Sequence, residues 1–146
     1  MATVLSVGLR GLLLDYAGVL DDPGRTTDAL PLLEVARRVR RSGIRTAVVS
    51  NAAGLPDSRL ADDFDAVVLS GVVAVAKPSR EIYWLTARRL GLEPAECVFV
   101  DDVPRNVAGA VAAGMVGVHH QDVGSTVAEL SVLLDVELPP DLLLRD

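Results

Sequence analysis

Three apolar runs in this chain end on groups that can do chemistry. GLLLDY places Asp15 after three leucines, TAVVSN closes on Ser50 and Asn51, and CVFVDD closes on Asp101 and Asp102. A further apolar stretch, VVAVAKPS, leads to Lys77. Carboxylates, a hydroxyl, a carboxamide and an ammonium are together the groups of a polar binding or catalytic site. Taken singly, each is also what a strand offers where it reaches water. As a set at corresponding strand ends they read as one shared site.

Lys77 carries a second signal. Lysine and arginine total 14, and Lys77 is the one lysine among them. A chain that otherwise writes its positive charge as arginine keeps lysine where a compact ammonium fits and a planar guanidinium does not.

The elements that must position these groups follow from the hydrophobic pattern. LRGLLLDY, Ile44–Ser50, Ala66–Leu69, Cys97–Val100 and Met115–His119 read as strands. LPLLEVARRVRRSG reads as a helix stopped by Gly43, Ser79–Leu90 as a helix ended by Gly91, and Pro104 as the first residue of a helix running to Gly114. A short helix is expected over Leu55–Ala61, and a last one near Thr126, where Thr126 and Glu129 have capping-box spacing. Continuous apolar strands alternating with helices predict an α/β fold, a parallel sheet covered on both faces. In such sheets ligands bind outside the carboxyl ends of the strands, which is where Asp15, Ser50, Asn51, Asp101 and Asp102 fall.

Composition narrows the function classes. The 146 residues fit one domain, 1–146, with a tail over about 136–146 that is not helix-like. That tail packs its leucines either on this domain or on a partner. Half the residues are apolar and 3% are aromatic, so the core is built from Val, Leu and Ala. A net charge of −6 argues against nucleic acid as a partner. No apolar run approaches a bilayer span, and MATVLSVGLR does not read as a secretory leader. The single cysteine, Cys97, suits a cytoplasmic protein and a core position.

Other residues give weaker signals. His119 and His120 point to opposite sides of an extended segment, which disfavours a shared metal. Arg37, Arg38, Arg40 and Arg41 sit at a helix C-terminus, where cations suit the dipole. Trp84 falls on the exposed face of its helix with Arg88, as an interface residue or as a partner for that guanidinium.

DYAGVL, SN, KP and VDD, in this order, resemble the four motifs of the haloacid-dehalogenase-like (HAD) superfamily. The resemblance runs from about Arg10 to Leu134, and the stretch KPSREIYWLTARRLGLEPAECVFVDDVPRNVAGAVAAGM is similar to the phosphatase-like branch. It implies a Rossmannoid three-layer sandwich around a central parallel sheet. It also implies Mg²⁺-dependent phosphate-ester hydrolysis through an aspartyl-phosphate. On this resemblance Asp15 is the nucleophile, and Ser50 and Asn51 hydrogen-bond the phosphoryl oxygens. Lys77 bridges nucleophile and phosphate. Asp15, Asp102 and the backbone carbonyl of Ala17 hold Mg²⁺. Asp101 and Asn106 stand behind them as supports, Asp101 where many relatives carry glycine and Asn106 where they often carry an acid. Few, hard oxygen ligands suit that cation.

One departure matters. Phosphatases of this family carry an aspartate two residues after the nucleophile, which protonates the leaving oxygen; here that position is Ala17. Three consequences stay open. The substrate has a good leaving group; a nearby group such as Asp21, Asp22 or an atom of the substrate stands in; or the domain is a weakened HAD module that binds phosphate, metal or a protein. Dehalogenases also lack that aspartate, but they carry a cap. About 35 residues separate Asp15 from Ser50 and fewer separate Asn51 from Lys77, so no cap domain is expected in either gap. An uncapped site suits a large phosphorylated substrate or a neighbouring subunit in a homo-oligomer.

Overall fold

The computed structural model describes residues 8–24 and 30–138. Five parallel strands form one sheet: β1 Gly11–Leu14, β2 Arg45–Ser50, β3 Ala66–Leu69, β4 Cys97–Asp101 and β5 Val116–His119. They lie in the order β3-β2-β1-β4-β5. The helices are α1 Pro31–Arg41, a single turn α2 Ser70–Val73, α3 Arg80–Arg89, α4 Pro104–Ala112 and α5 Val123–Leu134.

Alternation along β1 decides the two cores. Leu12 and Leu14 face a layer that includes Leu32, Val35 and Val39 of α1 and Val127 and Leu130 of α5. Leu13 faces the other, with Ile82 and Tyr83 of α3 and Ala110 of α4. Both faces of the sheet are therefore covered, which is why the strands read as unbroken apolar runs. The chain winds from β1 outward to β3, then crosses to β4 on the far side of β1. The reversal leaves a crevice at the carboxyl ends of β1 and β4, the usual ligand position in an open α/β sheet.

Register places the polar groups. Leu14 pairs with Val48 on one side and with Val100 on the other. One residue further along, Asp15, Val49 and Asp101 stand level across three adjacent strands.

Two expected elements shift. The short helix forms as a 3-10 segment at Ser58–Asp63, capped by Asp57, not at Leu55–Ala61. The last helix starts earlier than expected: the Asp122 side chain accepts the Ser125 N–H, so α5 begins at Val123 and Thr126 lies inside it. The turn α2 is an addition to the expected set. The leader reading on 1–10 and the tail reading on about 136–146 fall largely on 1–7 and 139–146, which lie outside the described residues; within the tail, Leu138 is buried. No helix among the described residues is long and apolar enough to cross a membrane.

Candidate active site

Lys77 lies at the centre of the polar groups. Its Nζ donates to Asp15 Oδ1 at 2.8 Å, to Asp101 Oδ2 at 2.8 Å and to the Val49 carbonyl at 2.9 Å. Those are the three acceptors that the sheet register sets level, and an ammonium has three protons to give them. The lysine side chain is 1% exposed. Phe99 of β4 lies beneath it, with Nζ 5.4 Å from the ring centroid. An arginine head is too broad for three converging acceptors in this space.

Asp101 is fully buried and fully engaged. Besides Lys77 it accepts the Asn106 side-chain N–H on Oδ2 at 3.2 Å and the Val103 backbone N–H on Oδ1 at 2.9 Å. The Asn106 carbonyl in turn accepts the Tyr83 hydroxyl at 2.6 Å. Asp101 thus orients Lys77 and opens α4, while Asp15 and the exposed Asp102 keep oxygens turned to the crevice mouth. Burial raises the Asp15 carboxyl to about 6, against the lowering pull of Lys77. Burial also raises Asp102.

The turn after β1 brings Asp102 close. Ala17 is extended and Gly18 takes φ +83°, with its N–H on Asp21 Oδ1 at 2.7 Å. A β-carbon at Gly18 would overlap the Asp102 carboxylate. Glycine is required here both by backbone conformation and by space.

Asn51 is placed differently from a side chain reaching for phosphate. Its carboxamide donates to the Lys77 carbonyl at 3.1 Å and accepts the Lys77 N–H at 2.9 Å. Ser50 is buried at the wall of the mouth. The Lys77–Pro78 peptide is cis. A β-carbon at Gly109 of α4 would come within 2.7 Å of Pro78, so that glycine lets α4 press against the lysine's segment.

The open cavity is about 440 Å³ and is lined by Asp15, Ala17, Ser50, Asn51, Lys77 and Asp102, with Arg105 on the rim. The sequence signal for Arg105 is slight, a cation in the turn after VDD. Asp15, Asp101 and Asp102 each offer one carboxylate oxygen, all within 4.8 Å of one another. With Asp101 engaged, Asp15 and Asp102 are the donors that remain, and both are the hard oxygens that suit Mg²⁺. The chemistry of the donor set therefore fits that ion.

The other sequence candidates lie apart from this centre. Asp21 is held by the Gly18 N–H, and Asp22 by the Gly24 N–H at 2.9 Å and by His120 Nε2 at 2.7 Å. His120 is buried and its Nδ1 lies 2.7 Å from Thr126 Oγ1, whereas His119 is exposed with Nε2 near the Asp102 carbonyl. Arg37 and Arg40 pair with Asp63 and Asp65. Trp84 is 43% exposed and donates its indole N–H to the Ala113 carbonyl at 3.0 Å. Cys97 is buried, which pushes its thiol up to about 12.

The family model for haloacid dehalogenase-like hydrolases matches residues 5–114. The chain belongs to that family. Among similar proteins, mouse acyl-CoA dehydrogenase family member 10 is 32% identical over 120 residues, 78% of this chain and 11% of that one. Fructose-1-phosphate phosphatase YqaB of Escherichia coli is 31% identical over 112 residues, 73% of this chain and 54% of that one. A crystal structure of an uncharacterized protein from Corynebacterium glutamicum is 35% identical with TM-score 0.78, covering 90% of this chain and 99% of that one. This HAD chain spans 54% or less of the length of those two curated relatives. No cap domain interrupts the described sheet, whose longest undescribed internal gap is the segment 25–29.

Proposed function

We propose that this HAD domain, one core domain over 1–146, hydrolyses phosphate monoesters through an aspartyl-phosphate on Asp15. The observation that carries the reading is the Asp15–Lys77–Asp101 arrangement at the floor of an open polar cavity. A buried carboxylate fixed beside an ammonium is a positioned nucleophile. Asp15 Oδ forms a bond to phosphorus as the bond to the leaving oxygen breaks. Water then attacks the phosphorus of the acyl phosphate, releases inorganic phosphate and returns the Asp15 carboxylate. Ser50 Oγ and the Asn51 backbone N–H are the donors available to phosphoryl oxygens, and Lys77 holds the negative charge of Asp15 in place. Mg²⁺, held by Asp15, Asp102 and the Ala17 carbonyl, would supply positive charge against the repulsion between a phosphate dianion and the nucleophile.

Ala17 brings no proton to the leaving oxygen, and Asp21 and Asp22 are both held elsewhere. The substrate class is therefore an ester or anhydride whose leaving group departs as an anion, such as an aryl or acyl phosphate. Ala17 also favours a second reading, a HAD module that binds phosphate and metal with little turnover. The open mouth suits a large phosphorylated substrate, or a neighbouring subunit of a homo-oligomer in which exposed Trp84 lies at the contact. The buried, lone Cys97 suits the cytoplasm.

A screen of acyl, aryl and alkyl phosphates with Mg²⁺, run beside Asp15→Asn, tests the proposal. Turnover of acyl or aryl phosphates that Asp15→Asn abolishes supports hydrolysis. Phosphate and Mg²⁺ binding without turnover leaves the binding-module reading in its place.

A further inference from the structure

We propose that Arg105 selects phosphoesters whose organic part carries a second anionic group, a reading that rests on the phosphatase assignment for its kinetics but not for binding. Two cations line the cavity, Lys77 and Arg105. Lys77 has all three protons committed to Asp15, Asp101 and the Val49 carbonyl. Arg105 is exposed and pairs with no carboxylate among the described residues. It is the uncommitted positive charge at the mouth.

Its place in the helix points the same way. Arg105 lies in the first turn of α4, which holds no acidic residue. A cation there opposes the helix dipole, and the carboxylate at that end, Asp101, is spent on the Val103 N–H and Lys77 rather than on Arg105. Arg80, in the first turn of α3, has Glu81 beside it. Position 105 therefore places a cation without a carboxylate partner among the described residues at the lining of a polar cavity.

The rest of the rim offers little discrimination. Ala17, Gly18 and Val103 bring no charge, and no cap domain lies over the cavity among the described residues. Selectivity for the organic part must come from side chains at the mouth. A guanidinium presents a planar fork that matches a carboxylate or a second phosphate with two parallel hydrogen bonds. The transferring phosphoryl group sits deeper, at Asp15, so Arg105 meets what extends beyond it.

The test uses two aryl phosphates of similar leaving-group strength, 3-carboxyphenyl phosphate and its neutral analogue 3-carbamoylphenyl phosphate, with Mg²⁺. The wild-type protein should favour the carboxylate by about twofold to fivefold in kcat/KM, the range of one exposed ion pair, with the difference in KM. Arg105→Gln should bring the ratio to about one, Arg105→Lys should keep part of it, and Arg105→Glu should invert it. An unchanged ratio in Arg105→Gln overturns the proposal. So does an equal loss on both substrates, which would put Arg105 on the transferring phosphoryl group. If neither compound turns over, the hydrolase reading fails separately, and calorimetry on the Asp15→Asn protein decides the question. Tighter binding of the carboxylate that Arg105→Gln removes supports the selection; equal or undetectable binding of the pair overturns it.

Discussion

The Asn51 carboxamide clasps the backbone of Lys77 at both ends, donating to its carbonyl at 3.1 Å and accepting its N–H at 2.9 Å. The end of β2 is thereby tied to the segment that delivers the ammonium to the sheet edge. Nζ must reach three acceptors on three strands, and a small shift of the Lys77 backbone would lose one of them.

Asn51→Ala should therefore loosen the centre without emptying the core. Two lost hydrogen bonds correspond to about 1–3 kcal/mol of stability. The lysine would sample other positions, so kcat for an aryl phosphate should fall by about tenfold or more. Urea unfolding and steady-state rates on the same preparation check both parts; stability and kcat equal to wild type would remove the clasp from the account.

Lys77→Met should be more severe. It leaves Asp15 and Asp101 buried without their cation, and breaking such a pair from one side destabilises by about 3–5 kcal/mol. Adding Asp101→Asn removes one of the orphaned charges and should recover part of the loss. If the double variant is no more stable than Lys77→Met alone, the coupling between Lys77 and Asp101 is not what holds the site.

Much of this is legible in the sequence. Leu12–Leu14 and Val98–Val100 are buried strands because both sheet faces are covered, and the carboxylates that follow them gather at one sheet edge, Asp101 inside it and Asp102 at the surface. Lys77 was legible because the chain uses no other lysine. The side chain of Asn51 was not, since a carboxamide serves a ligand or a backbone equally well and only the tertiary path of the Lys77 segment decides. Thr126 and Glu129 matched a capping box, but Asp122, three residues before Ser125, has the same reach and begins the helix earlier. Arg105 is not legible in the sequence, because a charge in a helix's first turn gains meaning only when that turn borders a cavity.

Proton and metal should compete at Asp15. Its carboxyl is raised to about 6 chiefly by burial, so the metal-free folded chain binds a proton that the unfolded chain has already released. The raised value stabilises the metal-free protein fully below about pH 4, and this contribution is lost as pH rises through about 6. Mg²⁺ requires the ionised form, so its affinity should weaken as pH falls below about 6, with proton release on binding. Calorimetry at pH 5 and 7.5 in buffers of different ionisation enthalpy measures this. Equal affinity at the two pH values, with no proton released, would exclude Asp15 as a ligand.

Ala17 sets the last expectation. With no acid at that position, the leaving oxygen departs unprotonated, and rates should rise steeply as leaving-group pKa falls. Aryl and acyl phosphates should react and alkyl phosphates barely so. Ala17→Asp puts a carboxyl on the extended residue between the nucleophile and Gly18, at the lining of the same cavity. General acid help is worth about 10²–10⁴-fold, so alkyl phosphates should gain at least the low end of that range in kcat and aryl phosphates much less. The new carboxyl also adds negative charge beside Asp15, which weakens phosphate binding, so kcat is the parameter that reports the acid. A flatter dependence of rate on leaving-group pKa in Ala17→Asp is the expected signature. Should both substrate classes stay inert in that variant while Mg²⁺ still binds, the missing proton donor is not what limits this site, and the chain is a binding module.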